Sequence, residues 1–87
     1  NLYCSKVFFG VDGIDLDYGL TCGTGEEASI TKKMMQSSQT RIVLADSSKF
    51  GKVSTVTFGT LNSSAIITDH LPDQRYAEQT VVKVVGE

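Results

Sequence analysis

The sequence predicts an α/β fold in which a mainly parallel sheet is flanked by helices. Short apolar runs typical of buried strands recur along the chain, at residues 7–11, 41–45, 65–68 and 81–85. Helical patterns lie between them, at residues 26–39 and 72–79. Strands that alternate with helices indicate a parallel sheet, because parallel strands must be joined by crossover connections. With 87 residues, 40% of them hydrophobic, the chain is sufficient for one small domain.

The longer predicted helix, residues 26–39, follows a polar, Gly-rich loop expected over residues 12–25. Glu26 and Glu27 begin the helix, where the positive end of the helix dipole favours negative side chains. The apolar residues of this helix are Ala28, Ile30, Met34 and Met35.

The second half of the chain predicts shorter elements. Residues 53–58 alternate in polarity and are rich in β-branched side chains, so they are a candidate for one more strand. Pro72 is expected to begin the second helix, because proline is favoured in the first helical turn.

The charge and hydropathy of the chain exclude several classes of function. A net charge of -2 and a pI near 5.2 argue against a nucleic-acid-binding surface, which is normally basic. No apolar run approaches the roughly 20 residues of a membrane helix, and no signal peptide is recognisable, so membrane insertion is not expected. The chain begins at Asn1 rather than at Met, which indicates an excised or truncated segment.

The cysteines and the histidine form no recognisable metal or redox motif. Cys4 and Cys22 are eighteen residues apart and His70 lies far from both along the chain. We therefore expect free thiols in a reducing compartment, with no bound metal and no cofactor. His70 follows an apolar run and is interpreted as a polar residue at a strand end rather than as a catalytic base.

Polar side chains follow three of the predicted strands. Asp12 follows the first, Asp46 and Lys49 follow the second, and Asp69 follows a later one. If these strands are parallel, the side chains share one edge of the sheet, where α/β proteins bind ligands. Carboxylates accept hydrogen bonds from sugar hydroxyls and a Lys attracts a phosphate, so Asp12, Asp46 and Lys49 predict a phosphosugar site. The alternative is ordinary solvated turns, which is our interpretation of Asp69.

A short motif also fits a nucleotide site. The sequence Gly-Thr-Gly-Glu-Glu-Ala at residues 23–28 matches the G-x-G-x-x-A pattern, and Asp46 lies about 20 residues further on. However, we expect no strand directly before Gly23, and carboxylates at the start of the helix would repel a pyrophosphate. The loop is therefore interpreted as one wall of a sugar pocket.

Several motifs together resemble the effector domain of DeoR-type transcriptional regulators. They are Phe-Phe-Gly-Val-Asp-Gly-Ile at residues 8–14, Gly-Leu-Thr at 19–21, Glu-Ala at 27–28, Leu-Ala-Asp-Ser-Ser-Lys-Phe-Gly at 44–51 and Ile-Thr-Asp at 67–69. The resemblance implies a cytoplasmic, oligomeric regulator, usually a repressor of carbohydrate genes that a phosphorylated sugar or related metabolite releases from operator DNA. It also implies that residues 1–87 are the C-terminal part of the effector domain. The DNA-binding segment and the first half of the sensor, with its Gly-Thr-Thr phosphate loop, would then precede them.

The DeoR effector domain is similar in fold to ribose-5-phosphate isomerase, and this likeness implies binding without catalysis. Residues 12–15 retain both carboxylates of the enzyme's Asp-Gly-Ala-Asp motif. Residues 46–49 retain its Asp-x-Ser-Lys motif, whose Lys is associated with the substrate phosphate. The enzyme's other Lys and its Glu base correspond to Cys22 and Thr31, and neither residue can replace them.

The expected function is therefore the sensing of a sugar phosphate by a regulator that is not an enzyme, with no catalytic residue. The predicted effector-binding residues are Asp12, Gly13, Asp15, Gly23, Thr24, Gly25, Glu26, Glu27, Asp46, Ser47, Ser48 and Lys49. The alternative is a phosphosugar isomerase-like enzyme, in which Glu26 or Glu27 shifts into the site. In isolation, the chain is expected to self-associate through an open sheet edge and to bind the effector weakly.

Overall fold

A computed structural model describes residues 4–86 of the chain, which form two sheets and two α-helices. The strands are β1 (Cys4–Phe9), β2 (Gly13–Asp15), β3 (Gly19–Cys22), β4 (Ser38–Leu44), β5 (Val56–Gly59), β6 (Ala65–Thr68) and β7 (Val82–Val84). The helices are α1 (Gly25–Gln36) and α2 (Arg75–Gln79). Two 3-10 turns cover Ser47–Lys49 and Leu61–Ser63.

The larger sheet has the strand order β1-β4-β6-β7, and every pair in it is parallel. This confirms the predicted parallel sheet. Phe9, Val43 and Ile66 are neighbours across three strands, and all three are buried. Their row of large apolar side chains forms the centre of the core.

The predicted loop at residues 12–25 is wrong for most of its length, because it contains the hairpin of β2 and β3. These strands form an antiparallel sheet in the order β2-β3-β5. The strand expected at residues 53–58 covers only Val56–Gly59, as β5, and it belongs to this sheet and not to the parallel one. Gly19, with φ +76°, permits the tight turn between β2 and β3. The partners of β3 include a strand more than thirty residues away, which local composition does not reveal.

Both helices are shorter than predicted. Helix α1 ends three residues early because the Ser37 amide donates to the Lys33 carbonyl at 3.2 Å and Ser38 begins β4. Helix α2 begins at Arg75, whose backbone amide donates to the Asp73 carboxylate at 2.9 Å, and Pro72 stays outside the helix.

Helix α1 buries a narrower face than its apolar residues suggest. Ala28 and Met35 are buried against the sheets, whereas Ile30 is 57% exposed and Met34 is 39% exposed. The helix and the small sheet cover the same face of the parallel sheet, and the Phe9 and Phe58 rings meet edge to face at 5.9 Å. Neither helix within residues 4–86 has the length and hydrophobicity that a bilayer crossing requires.

Candidate functional site

Three aspartates follow the parallel strands at the same level of the sheet. The last paired residues of β1 and β4 lie three positions before Asp12 and three before Asp46. The last pair of β4 and β6 lies two positions before Asp46 and two before Asp69. The register therefore brings Asp12, Asp46 and Asp69 to one edge of the sheet. We call this edge, with the turn that follows Asp46, the strand-exit site.

The segment after β4 forms a tight turn around Asp46. The Asp46 carboxylate accepts hydrogen bonds from the Ser48 hydroxyl and, at 2.9 Å, from the Ser48 amide. These bonds, together with the positive charges of Lys49 and Lys52, lower the pKa of Asp46 below its ordinary value. The turn thus holds an ionised carboxylate close to two cations.

Asp69 connects the end of β6 to this turn. Its Oδ1 accepts a hydrogen bond of 2.7 Å from the Ser47 amide. The carboxylate therefore caps a turn, in agreement with our interpretation, but the turn belongs to the neighbouring strand end rather than to its own. Asp69 fixes the position of residues 47–49 relative to β6.

The segment after β1 is fastened to the segment after β4. The Gly51 amide donates to the Ile14 carbonyl at 2.7 Å, and Ile14 forms an isolated parallel bridge with Phe50. A Cβ atom on Gly13 would lie 2.3 Å from the Lys52 carbonyl oxygen, so only glycine permits this approach. Gly13 is buried and acts in packing, not as an exposed group facing a ligand.

A cavity of about 280 Å³ opens beside the strand-exit site. Its lining residues are Gly10, Val11, Asp12, Cys22, Glu27 and Thr31. Gly23 lies between the two acids, because Asp12 Oδ2 and Glu27 Oε1 are each 3.5 Å from the place where its Cβ would be. The cavity thus carries two exposed carboxylates, with Cys22 and Thr31 beside them.

The loop before α1 forms a helix cap. The Thr24 hydroxyl accepts a hydrogen bond from the Glu27 amide at 3.1 Å, as an N-cap residue does, and donates to Glu27 Oε1 at 3.2 Å. Of the five predicted wall residues, Glu27 lines the cavity and Gly23 adjoins it. Thr24, Gly25 and Glu26 are exposed and lie outside the cavity lining.

The Gly-rich motif at residues 23–28 follows a strand, contrary to our expectation. Strand β3 ends at Cys22, directly before Gly23, so a strand does precede the Gly-rich motif. This strand is antiparallel to both of its partners, however, and is therefore not the parallel strand of a dinucleotide-binding unit. The Thr24 cap also occupies the start of the helix, which a pyrophosphate would need.

Asp15 does not join Asp12 in the cavity. Its carboxylate accepts hydrogen bonds from the amides of Asp17 and Tyr18, at 2.9 and 3.0 Å, and so closes the β2–β3 turn. Asp15 lines a separate cavity of about 500 Å³, next to Phe50. The structure thus separates the two carboxylates of the Asp-Gly-Ile-Asp motif.

Two residues that support the site had no predicted role. The Thr21 hydroxyl is fully buried, donates to the Gly13 carbonyl at 3.4 Å and accepts from the Ser54 amide at 2.9 Å. The Tyr76 hydroxyl donates to the Ile14 carbonyl at 3.2 Å, and burial raises the pKa of Tyr76. Thr21 belongs to the Gly-Leu-Thr motif, which offered a signal, whereas nothing in the sequence marked Tyr76.

Cys22 is a free, buried thiol, whose pKa is raised by burial. The side chain of Cys4 lies outside the part of the chain that the structure describes. His70 is exposed two residues after β6. Within residues 4–86, no group of three or more His, Cys, Asp or Glu side chains has an arrangement that would hold a metal ion.

Known proteins match this chain over most of its length. The family model described as the DeoR C terminal sensor domain matches residues 1–70. The chain is 37% identical over 83 residues to the uncharacterized HTH-type transcriptional regulator FruR of Bacillus subtilis (strain 168). This alignment covers 92% of the chain and 33% of the relative. The chain is 35% identical over 77 residues to the HTH-type transcriptional repressor GlcR of the same strain, covering 87% of the chain and 30% of the relative.

A third relative is the deoxyribose operon repressor of Escherichia coli (strain K12), which is 29% identical over 80 residues, covering 90% of the chain and 32% of the relative. The chain thus spans about a third of the length of these relatives. All three names describe transcriptional regulators, and two describe repressors. Because the family model covers most of the chain, the chain belongs to the DeoR C-terminal sensor domain family.

Proposed function

We propose that this chain is the effector-sensing part of a DeoR-type transcriptional regulator and that it binds a phosphorylated sugar at the strand-exit site. The family match and the name of one relative, a deoxyribose operon repressor, support a carbohydrate-linked role. In the full-length protein, a preceding segment would bind operator DNA, and the regulator would act as a homo-oligomer in the cytoplasm.

The proposal rests mainly on one observation: the acidic cavity lies next to the turn after β4, which has two lysines close to its carboxylate. Asp12 and Glu27 offer hydrogen-bond acceptors that suit sugar hydroxyls and would repel a phosphate. Lys49 and Lys52 lie close enough to Asp46 to lower its pKa. The bond between the Gly51 amide and the Ile14 carbonyl holds these two parts in a fixed relation.

This division of charge predicts how a phosphosugar lies in the site. Its hydroxyl-bearing end would enter the cavity of Asp12 and Glu27, and its phosphate would lie towards Lys49. The hydroxyls of Ser47 and Ser48 would supply further hydrogen bonds. Gly13, Asp15 and residues 24–26 would then contribute through packing, turn closure and helix capping.

Calorimetric titration of the full-length regulator tests this function. The panel consists of phosphorylated sugars, the same sugars without phosphate, and inorganic phosphate alone. We expect at least one phosphosugar to bind more tightly than both of its matched controls and to change operator affinity. Equal binding of a sugar with and without its phosphate would contradict the proposal.

One observation favours an isomerase-like enzyme as the second candidate. Glu27 lines the cavity that also holds Thr31, the position matched to the enzyme's base, so a carboxylate is present after all. We propose binding without catalysis, since this carboxylate is exposed and bonded to Thr24. NMR in deuterated water distinguishes the two functions. An enzyme would exchange the proton next to the sugar carbonyl and lose this exchange in Glu27→Gln, whereas a sensor shows no exchange.

A further inference from the structure

Helix α1 carries exposed apolar side chains on its outer side. Ile30 and Met34 are four residues apart, so they are neighbours on one face of the helix. Ile30 is 57% exposed and Met34 is 39% exposed. The buried residues of the same helix, Ala28 and Met35, lie about 140–160° around the helix axis from Ile30. Packing within residues 4–86 therefore uses Ala28 and Met35 and leaves the outer pair in contact with solvent.

Side chains of opposite charge flank this apolar pair. Glu26 lies in the first turn of α1 and Lys33 in the last turn, and both are exposed. They are seven residues apart, close to two helical turns, so both lie within about 60° of Ile30 around the axis. Within residues 4–86, neither Glu26 nor Lys33 forms an ion pair. We call Glu26, Ile30, Lys33 and Met34 the α1 outer stripe, which is acidic at one end, apolar in the middle and basic at the other end.

A stripe with this charge pattern is complementary to a second copy of itself. Two α1 helices that pack antiparallel about a two-fold axis near Ile30 bring the two Ile30 side chains together at the axis. Each Glu26 then faces the partner's Lys33, because Ile30 lies close to the midpoint between positions 26 and 33. Parallel packing would instead place like charges side by side, which is unfavourable. The charges therefore select the antiparallel arrangement.

We propose that the α1 outer stripe is a self-association surface, through which two copies of the full-length regulator pair helix against helix. A contact between two helices of 12 residues is smaller than the roughly 1,200–2,000 Å² of a stable interface, so we expect it to add to other contacts of the oligomer. The proposal rests on the homo-oligomer of the proposed function but not on effector binding. Effector titration and the experiments below can therefore fail independently.

Charge reversal in the full-length regulator tests the pairing of Glu26 with the partner's Lys33. Sedimentation equilibrium measures the self-association constant of the unaltered protein, Glu26→Lys, Lys33→Glu and the double variant. Each single reversal brings like charges together at two symmetric places and should weaken association at least about fivefold. The double variant restores opposite charges and should recover to within about twofold of the unaltered protein.

Lys32→Glu is the matched control, because Lys32 is exposed on the same helix outside the α1 outer stripe. It changes the net charge as Lys33→Glu does and should leave association unchanged. Single reversals that associate like the unaltered protein, or a double variant that shows no recovery, would overturn the proposal.

Cysteine crosslinking tests the antiparallel geometry. Ile30→Cys places a thiol at the proposed axis, where helices packed about 8–10 Å apart allow a disulfide between the two copies. Ser29→Cys is the control, because Ser29 is also exposed but points about 100° away from Ile30. Under mild oxidation we expect a disulfide-linked dimer from Ile30→Cys and little from Ser29→Cys, with mass spectrometry finding position 30 of both copies in the linked peptide. Equal yields from the two variants, or a link from position 30 only within its own polypeptide, would overturn the proposal.

Discussion

Gly13 packs against Lys52 so closely that any Cβ atom on Gly13 would overlap the Lys52 carbonyl oxygen. This contact joins the segment after β1 to the segment after β4. Gly13→Ala should therefore force the two segments apart and lower the free energy of unfolding by about 1–3 kcal/mol. Gly25→Ala is the control, because a Cβ there has no neighbour within 4 Å. Urea unfolding of the protein measures both, and equal stabilities would contradict the role given to Gly13.

Lys49→Met should weaken effector binding without unfolding the domain. Met keeps the length of the side chain but removes the cation that we assign to the phosphate. A charge-assisted hydrogen bond contributes roughly 1.5–3 kcal/mol, so affinity should fall about tenfold to a hundredfold. Lys33→Met, in the last turn of α1, is the control and should bind normally. Calorimetry of the full-length regulator decides, and unchanged affinity in Lys49→Met would remove this residue from the site.

Ser48→Ala should raise the pKa of Asp46 towards its ordinary value of about 3.9, because the Ser48 hydroxyl bond is the largest cause of the lowered pKa. Ser47→Ala is the control, since Ser47 contacts Asp69 through its backbone amide. NMR titration of the Asp46 carboxyl carbon measures the shift.

The same lowered pKa has a consequence for acid stability. A carboxyl with a lower pKa in the folded state stabilises the fold above its unfolded pKa. This contribution is lost as the pH falls below about 3.9, through the folded-state pKa. Ser48→Ala should therefore show a weaker dependence of stability on pH in this acid range than Ser47→Ala, and an identical dependence would contradict the role of Ser48.

Tyr76→Phe should lower the free energy of unfolding by about 1 kcal/mol, because it removes a buried hydrogen bond to the Ile14 carbonyl. The loss stays modest because the Gly51 amide still donates to the same carbonyl. Tyr18→Phe is the control, since Tyr18 is 61% exposed and should tolerate the change. Thermal or urea unfolding compares them, and equal stabilities would show that the Tyr76 hydroxyl contributes nothing.

The sequence by itself determined the parallel sheet, the main helix and the polar strand ends. Apolar runs such as residues 65–68 predict strands, because the strands of a parallel sheet are normally rich in continuous hydrophobic residues. The Asp-Ser-Ser-Lys motif also marked a polar strand end, and Asp46 and Ser48 interact there within three residues of chain. Local chemistry of this kind is visible in a sequence.

Only the tertiary structure decided which polar residues meet. Asp12 and Glu27 share a cavity, whereas Asp15, three residues from Asp12, closes a turn elsewhere. The hairpin of β2 and β3 was missed because residues 12–25 are rich in polar residues and glycine. The third strand of its sheet, β5, is also distant in the sequence. Tyr76 reaches Ile14 across sixty-two positions. Contacts at such separations depend on the packing of whole layers, and no local pattern of residues encodes that packing.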